Sequence, residues 1–246
     1  TEHKGKNIQA FSFRDLTEVS EEEMAQIPSP GSGEPTLTMP RDFNLMFQTN
    51  VGAMSDASSV AYLRPETAQG IFVNFLNVQK TSRLRVPFGI AQVGKAFRNE
   101  VIARQFIFRM KEFEQMEMQF FIQPGTQKEW YQKWMNKRME WHNSIGMGSE
   151  NYRFKNHEKL AHYADAACDI EFKFPFGFRE LEGIHSRTDF DLSNHEKFSR
   201  KNLKYFDPKL EKNYIPYVVE TSIGLDRMFL AVLSWSLRED KLTDGT

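Results

Sequence analysis

Polar and apolar residues alternate along two neighbouring segments in the first half of the chain. The alternation predicts one strand over residues 89–102 and a second over residues 112–123, joined by a loop into an antiparallel hairpin. One face of the second strand carries three polar residues beside an aromatic one, namely Phe113, Gln115, Glu117 and Gln119. Carboxylates and amides within a strand indicate that part of the sheet faces a polar ligand.

Two helices are predicted from their start signals and apolar spacing. Ser20 and Glu23 have the spacing of a capping box ahead of a short helix. Thr126 and Glu129 repeat that spacing ahead of a long amphipathic helix that runs to Gly146. The tryptophans of the long helix recur at helical spacing, so we interpret them as packing residues and not as an RNA-stacking surface.

The remaining elements decide the fold class. Further strands are predicted over residues 168–174, 178–186 and 217–221, followed by a closing helix over about residues 225–238. Runs of strands with helices between and after them indicate an α+β fold, an antiparallel β-sheet flanked by helices.

The chain divides by composition into a short polar part and a longer apolar one. Residues 1–40 are predicted to be an irregular N-terminal segment, with a Pro/Gly/Ser-rich linker over residues 28–35. Residues 41–246 are predicted to form the functional core. Because the sequence begins with Thr and ends in a polar stretch, we expect it to be part of a longer protein.

Composition and charge restrict function only loosely. The 246 residues, 40% of them hydrophobic, suffice for one domain with a substantial core. A formal net charge of -1 neither requires nor excludes a nucleic-acid partner. A single cysteine, Cys168, rules out an internal disulfide and a cysteine-pair zinc site, so we predict a cytoplasmic protein without zinc. No stretch of eighteen apolar residues occurs, so no membrane partner is expected.

The predicted hairpin offers a means of binding phosphate. The sequence has no Gly-x-Gly-x-x-Gly following a strand and no Gly-Lys-Ser/Thr, so an ATP site here must use another device. Arg98 at the end of the first strand and Arg109 in the loop suit phosphate oxygens, with charge-assisted hydrogen bonds of about 1.5–3 kcal/mol each. Phe113 suits the face of an adenine ring. By charge pattern alone, a hairpin with a solvated, charged tip is an equally good interpretation.

Three segments, in the expected order, resemble motifs of class II aminoacyl-tRNA synthetases. Residues 97–100 with residues 108–115 are similar to motif 2 of that class, and residues 220–227 are similar to motif 3. Residues 63–72, Leu-Arg-Pro-Glu-Thr-Ala-Gln-Gly-Ile-Phe, resemble a stretch shared by glycyl, threonyl and prolyl enzymes. Residues 178–192 narrow the resemblance to glycyl-tRNA synthetases of the homodimeric type.

The resemblance covers roughly residues 43–239 and departs from the family in identifiable places. Motif 1 is not recognisable upstream of Arg64, and no anticodon-binding domain follows motif 3, as expected for a catalytic core fragment. Phe178 and His185 stand where the family has Trp and a small residue. No serine or cysteine nucleophile pattern surrounds His185, so we interpret it as a packing variant.

The resemblance implies an activity and its partners. A glycine–tRNA ligase joins glycine to ATP as glycyl-adenylate and passes the glycine to the 3′ end of tRNA(Gly). The implied partners are tRNA(Gly), glycine, ATP and Mg²⁺, with a homodimer in the full-length protein. Two alternatives remain open: a class II synthetase of another specificity, and a catalytically silent module that binds RNA or regulates. An accidental likeness is a third, less favoured interpretation because three motifs occur in order.

The resemblance also assigns roles, residue by residue. The catalytic residues would be Arg98 and Arg227. The ATP site would comprise Arg98, Asn99, Glu100, Phe108, Arg109, Phe113, Glu180, Leu181, Gly224 and Arg227. The glycine site would comprise Glu66, Glu114, Gln115, Glu117, Arg187, Glu220 and Ser222. Candidate ligands of Mg²⁺ are Glu180 and Glu220.

Overall fold

A computed structural model describes residues 2–3, 6–7, 18–29, 31–41, 43–52 and 59–240. The chain separates into two compact units, Thr1–Asn44 and Leu45–Thr246. In the first unit, strands β1 (Glu2–His3) and β2 (Lys6–Asn7) pair antiparallel. The roles predicted for residues 1–40 and 41–246 stay predictions.

The short helix α1 of the first unit, Glu21–Met24, begins as predicted. The backbone N–H of Glu23 donates to the hydroxyl of Ser20 at 3.3 Å, and the backbone N–H of Ser20 donates to Oε2 of Glu23 at 3.0 Å. These reciprocal bonds satisfy two N–H groups that a helix start leaves without partners. The predicted capping box is therefore confirmed.

The second unit contains ten strands and four α-helices within its described residues. The strands are β3 (Gln48–Asn50), β4 (Val60–Tyr62), β5 (Phe88–Phe97), β6 (Glu112–Ile122), β7 (Tyr152–Asn156), β8 (Ala166–Phe174), β9 (Gly177–Thr188), β10 (Tyr205–Asp207), β11 (Lys212–Tyr214) and β12 (Tyr217–Gly224). The helices are α2 (Ala68–Thr81), α3 (Gln127–Ser144), α4 (Phe190–Ser199) and α5 (Leu225–Ser236). Two 3₁₀ turns cover Phe106–Phe108 and Ser149–Asn151.

A six-stranded antiparallel sheet forms the centre of this unit, in the order β5-β6-β12-β9-β8-β7. The α+β class with an antiparallel sheet flanked by helices is confirmed, and so is the predicted β5–β6 hairpin. The first strand ends at Phe97, five residues earlier than predicted. Beyond Arg98 the chain turns, because the backbone N–H of Glu100 donates to the carbonyl of Arg98 at 2.8 Å and not to a neighbouring strand.

Helices cover the two faces of the sheet with separate apolar cores. Helices α3 and α5 pack on one face, over a core that includes Ile122, Ile170 and Ile184. Helix α2 packs against β5, β6 and α4 on the other face, around Phe72 and Phe121. Among the described residues, no helix combines the length and the apolar content that a membrane crossing requires.

The long helix α3 confirms one predicted end signal and contradicts the other. Gly146 lies just beyond the helix at φ 86°, a conformation that favours glycine. The predicted capping box at the start is wrong, because the hydroxyl of Thr126 donates to the carbonyl of Gln123 at 2.7 Å and caps no helical N–H group. The apolar spacing alone was therefore enough to predict the helix, without a capping box at its start.

Candidate active site

The site lies where one face of the sheet changes from apolar to polar. On β6, alternation places Phe121 and Glu117 on the same face, and Phe121 packs against Phe75 of α2 with ring centroids 4.6 Å apart. On β12, Val218 and Glu220 make the same transition. The aromatic residues of α2 cover the apolar end, and the polar end opens into a cavity.

The cavity wall unites residues from five separate segments of the second unit. It is formed by Glu66, Arg98, Glu100, Ile107, Phe108, Arg109, Met110, Phe113, Gln115, Glu117, Tyr163, Glu180, Gly183, His185, Arg187, Glu220, Ser222, Gly224, Asp226 and Arg227. All the predicted site residues lie on this wall except Asn99, Leu181 and Glu114.

The three exceptions have other surroundings. The backbone N–H of Asn99 donates to the carbonyl of Leu45 at 3.1 Å. The side chain of Leu181 is buried in the core beneath α3 and α5. Glu114 lies on the opposite face of β6 from Glu117, because side chains alternate along a strand and these two residues are an odd number of positions apart. None of these three residues is among those that line the cavity, and their predicted roles stay predictions.

One end of the cavity is cationic and built around Arg227. Its Nε donates to the carbonyl of Phe108 at 3.1 Å, and its Nη1 lies 3.2 Å from Oε2 of Glu180. The guanidinium also lies over the ring of Phe108, 4.3 Å from the centroid. These contacts hold a planar donor group at the wall, in a geometry that suits bidentate binding of an anion.

Two further arginines approach the same end. Nε of Arg98 donates to the carbonyl of Pro65 at 3.1 Å, and its guanidinium lies 5.2 Å from the ring centroid of Phe113. Nη1 of Arg109 forms an ion pair with Oε2 of Glu100 at 3.1 Å. The loop after β5 and the first residues of β6 therefore bring two cations and an aromatic face together.

The other end of the cavity is acidic and its best-connected member is Glu220. Oε2 of Glu220 accepts from Nη1 of Arg187 at 3.0 Å and from Nε2 of Gln119 at 2.6 Å. Burial alone would raise the pKa of Glu220, but His185 and Arg187 hold it below its usual value. Glu220 is therefore an ionised carboxylate although it is 3% exposed.

Arg187 is the cation that stabilises this end. Its Nε and Nη2 donate to the two carboxylate oxygens of Asp191 at 2.8 and 3.0 Å, and its guanidinium lies 4.1 Å from the ring centroid of Tyr163. Burial would lower the pKa of Arg187, but Glu220 and Asp191 raise it above the ordinary value. Arg187 therefore stays charged in the interior.

Glu117 lies beside this network with neutral hydrogen-bond donors. Thr67 donates its hydroxyl to Oε2 of Glu117, and Nε2 of Gln115 donates to Oε1 at 2.9 Å. Burial raises the pKa of Glu117 to about 7, and the charge of Glu220 adds to the increase. The acidic end thus combines a carboxylate whose pKa is held below its ordinary value with one whose pKa is raised to about 7.

Sequence reasoning missed several members of the wall. Tyr163 belongs to an irregular segment with no periodic pattern, so nothing in the sequence marked it. Gly183 and His185 stand inside a quoted motif segment but received no binding role. Asp226 immediately precedes Arg227, and its Oδ2 accepts from the backbone N–H of Glu114 at 2.8 Å. Acidic residues in motif 3 were the signal that would have identified Asp226.

The two predicted metal ligands differ in their availability. Within the part of the chain that the structure describes, no group of three or more His, Cys, Asp or Glu side chains is arranged to hold a metal ion. Mg²⁺ commonly uses one or two protein carboxylates together with substrate phosphates. The Glu180 side chain is 53% exposed and pairs with Arg227, whereas both oxygens of Glu220 face protein cations or donors.

The chain matches a family described as "tRNA synthetase class II core domain (G, H, P, S and T)" over residues 50–235. The match contains the cavity-lining residues of all five segments, and it confirms the resemblance to class II synthetases seen in the sequence.

Curated relatives extend the comparison to glycyl enzymes. The chain is 59% identical to a glycine–tRNA ligase of Chlorobaculum tepidum, over 90% of this chain and 47% of that protein. It is 57% identical to a glycine–tRNA ligase of Borrelia hermsii, over 85% of this chain and 48% of that protein. It is 47% identical to a glycine–tRNA ligase of Lachnoclostridium phytofermentans, over 97% of this chain and 52% of that protein. The chain thus spans about half the length of the curated relatives it matches.

A solved structure supports the fold. Prolyl-tRNA synthetase of Giardia lamblia, in complex with prolyl-adenylate, superimposes with a TM-score of 0.57 over 77% of this chain and 37% of that one. Because the identity is 17%, this likeness is one of fold alone.

Proposed function

We propose, from the premise that this chain belongs to the family of class II tRNA synthetase core domains (G, H, P, S and T), that it carries the ATP and glycine sites of a glycine–tRNA ligase. The observation that carries the proposal is the division of one cavity into a cationic and an acidic end. Arg98, Arg109 and Arg227 belong to the first, where Glu100 and Glu180 pair with two of them, and Glu117 and Glu220 belong to the second. An aminoacyl-adenylate has phosphate at one end and an ammonium group at the other, so it complements both.

The first step needs alignment more than acid–base chemistry. A carboxylate oxygen of glycine attacks the α-phosphorus of ATP, an O–P bond forms, and the bond to the leaving pyrophosphate breaks. Because the attacking carboxylate is already ionised, no general base is needed. The arginine donors neutralise the charge that develops on phosphate oxygens, with Arg98 at the α-phosphate and Arg227 at the far phosphates. In the second step, a terminal ribose hydroxyl of tRNA(Gly) attacks the glycyl carbonyl and AMP leaves.

Selection of glycine would depend on charge and on lack of space. Glycine presents an ammonium group, a carboxylate and no side chain. Glu66, Glu117 and Glu220 supply carboxylates for the ammonium, while Ser222 and Gln115 supply neutral polar groups. Exclusion of a larger amino acid by overpacking amounts to roughly 1–3 kcal/mol or more. Glycine is the smallest amino acid, so this steric selection acts against every competitor.

Of the two carboxylates predicted to hold Mg²⁺, Glu180 fits better. It is half-exposed at the cationic end of the cavity, while Glu220 already faces Arg187, Gln119 and His185. Bound Mg²⁺ would neutralise phosphate charge there. The other proposed properties of the whole protein are tRNA(Gly) binding, a homodimer and a cytoplasmic location.

Calorimetric titration of the chain tests the proposal. The ligands are a non-hydrolysable glycyl-adenylate analogue and its alanyl, seryl and threonyl counterparts. We expect selective binding of the glycyl analogue, and loss of that binding in Arg98→Ala and Glu220→Ala. Arg179→Ala is the matched control, because Arg179 is an exposed arginine of β9 that is absent from the cavity wall and bonds the carbonyl of Phe178.

The contrary outcomes separate the alternatives. Preference for another analogue would indicate a class II synthetase of different specificity. A folded chain that binds none of the analogues would contradict the proposal and favour a silent module. Equal loss in the Arg179→Ala control would show that the variants act through stability and not through the cavity.

A further inference from the structure

His185 approaches Oε1 of Glu220, the oxygen to which neither Arg187 nor Gln119 donates. The two residues are direct partners across β9 and β12. Nδ1 of His185 lies 3.2 Å from Oε1 of Glu220, while Arg187 and Gln119 donate to Oε2. The Nδ1–Oε1 pair is close enough for an ion pair but not aligned as a hydrogen bond. The orientation of the Glu220 carboxylate therefore depends on His185 on one side and on two donors on the other.

The imidazole of His185 occupies space that Gly183 leaves open. A Cβ atom at position 183 would lie 2.9 Å from Cε1 of His185, closer than carbon atoms tolerate. The backbone of Gly183 does not need positive φ, so the close approach of His185 is the local reason for a glycine. The two residues are thus sterically coupled, and a methyl group at position 183 must displace the imidazole of His185.

Neighbouring rings fix the tilt of His185. Its imidazole meets His157 edge-on, with ring centroids 5.7 Å apart and an interplanar angle of 74°. Tyr163 packs from another side at 6.4 Å and 67°. Nε2 of His157 is in turn 2.8 Å from Oδ1 of Asp169 on β8. His185 is therefore held by a chain of contacts that extends away from the cavity.

We propose that His185 is a positioning residue for the amino-acid end of the cavity: it orients the Glu220 carboxylate toward the ammonium group of the substrate, and Gly183 provides the space for its imidazole. This inference rests on the proposed function, because it assumes that the ligand is an amino acid. It assigns a role to a residue that the sequence indicated only as a packing variant.

Substitution of His185 separates positioning from general stability. We expect His185→Ala to weaken binding of the glycyl-adenylate analogue about tenfold, the equivalent of one charge-assisted contact. Binding of a non-hydrolysable ATP analogue should stay unchanged, since its phosphates meet the cationic end. His185→Asn should restore most of the glycyl affinity, because the Asn amide nitrogen is as far from Cα along the side chain as Nδ1. Equal weakening of both ligands, or none, would overturn the inference.

A double-mutant cycle tests the coupling to Gly183. Gly183→Ala should weaken the glycyl analogue by displacing the imidazole, and the same change in the His185→Ala background should have little further effect. If Gly183→Ala weakens binding equally in both backgrounds, the methyl group acts on the ligand directly and the proposed coupling is wrong.

A ligand-free measurement distinguishes failure of this inference from failure of the proposed function. In ¹⁵N-histidine-labelled chain, Glu220→Gln should shift the Nδ1 resonance of His185 and leave the resonances of His142, which pairs with Glu182 on the opposite face of the sheet, unchanged. An unmoved His185 resonance would overturn the inference even if glycyl ligands bind. A shifted resonance in a chain that binds no glycyl analogue would uphold the contact with Glu220 and contradict the proposed function.

Discussion

Glu182 and Glu117 are both almost fully buried in the same sheet, but on opposite faces and in different surroundings. Arg138 of α3 donates to both oxygens of Glu182, at 2.5 and 3.0 Å, and Nε2 of His142 lies 2.7 Å from Oε2. Glu117 instead accepts from the neutral side chains of Thr67, Gln115 and Ser222, and the charge of Glu220 opposes its ionisation. Glu182 lies away from the cavity with both oxygens bonded to α3, so its role is structural, whereas Glu117 lies on the cavity wall with neutral donors and is suited to a cationic ligand.

Removal of the Glu182 carboxylate should have the largest effect on stability. Glu182→Leu leaves Arg138 and His142 without their acceptor, and we expect unfolding free energy to fall by about 3 kcal/mol. Urea denaturation measures the change. The matched control adds Arg138→Leu and His142→Leu, which removes the stranded polar groups and should recover most of the loss. A single variant as stable as the parent would show that the network carries no structural role.

Substitution of Glu220 should affect binding more than folding. Glu220→Gln keeps the shape but removes the negative charge, so affinity for the glycyl-adenylate analogue should fall about thirtyfold. Arg187 keeps its paired bonds to Asp191, which limits the loss of stability. Glu112→Gln is the control, because Glu112 is exposed on β6 and pairs with Lys95. Similar affinities for both variants would contradict an acidic end for the ammonium.

Glu117 should make stability depend on pH. Its folded pKa of about 7 is above the ordinary value of 4.5, so the folded state binds the proton more tightly than the unfolded state. The stabilisation is present below pH 4.5 and is lost as the pH rises through about 7. We expect Glu117→Gln to remove this decline, measured as urea unfolding at pH 5 and pH 8. The same decline in parent and variant would show that Glu117 is not its source.

An exposed ion pair on α3, Lys137–Glu140, should contribute least to stability. Nζ of Lys137 lies 2.7 Å from Oε2 of Glu140, the same distance that separates His142 from Glu182. Both side chains are more than 60% exposed, so solvent screens the pair. Glu140→Gln should change the unfolding free energy by less than ~0.5 kcal/mol. A loss comparable to that of Glu182→Leu would mean that distance and not burial decides the contribution.

Local pattern predicted most of the elements of the core. The alternation of residues 112–123, the apolar spacing of α3 and the apolar run of α5 each gave the correct type of element, because strand and helix periodicity arise from backbone geometry alone. Boundaries were less accurate. The first strand ended at Phe97 because the chain turns between Arg98 and Glu100, and the cap of α3 failed because Thr126 bonds backward to Gln123.

By itself, the sequence determined the class of fold, the family resemblance and most of the cavity wall, since motif residues stand close together along the chain. Only the tertiary structure decided which carboxylates line the cavity. Glu114 and Glu117 are three positions apart but face opposite sides of β6, and Gln119 meets Glu220 from 101 positions away. The charge of a buried carboxylate depends on burial and on partners from distant segments, and these exist only after the sheet has assembled.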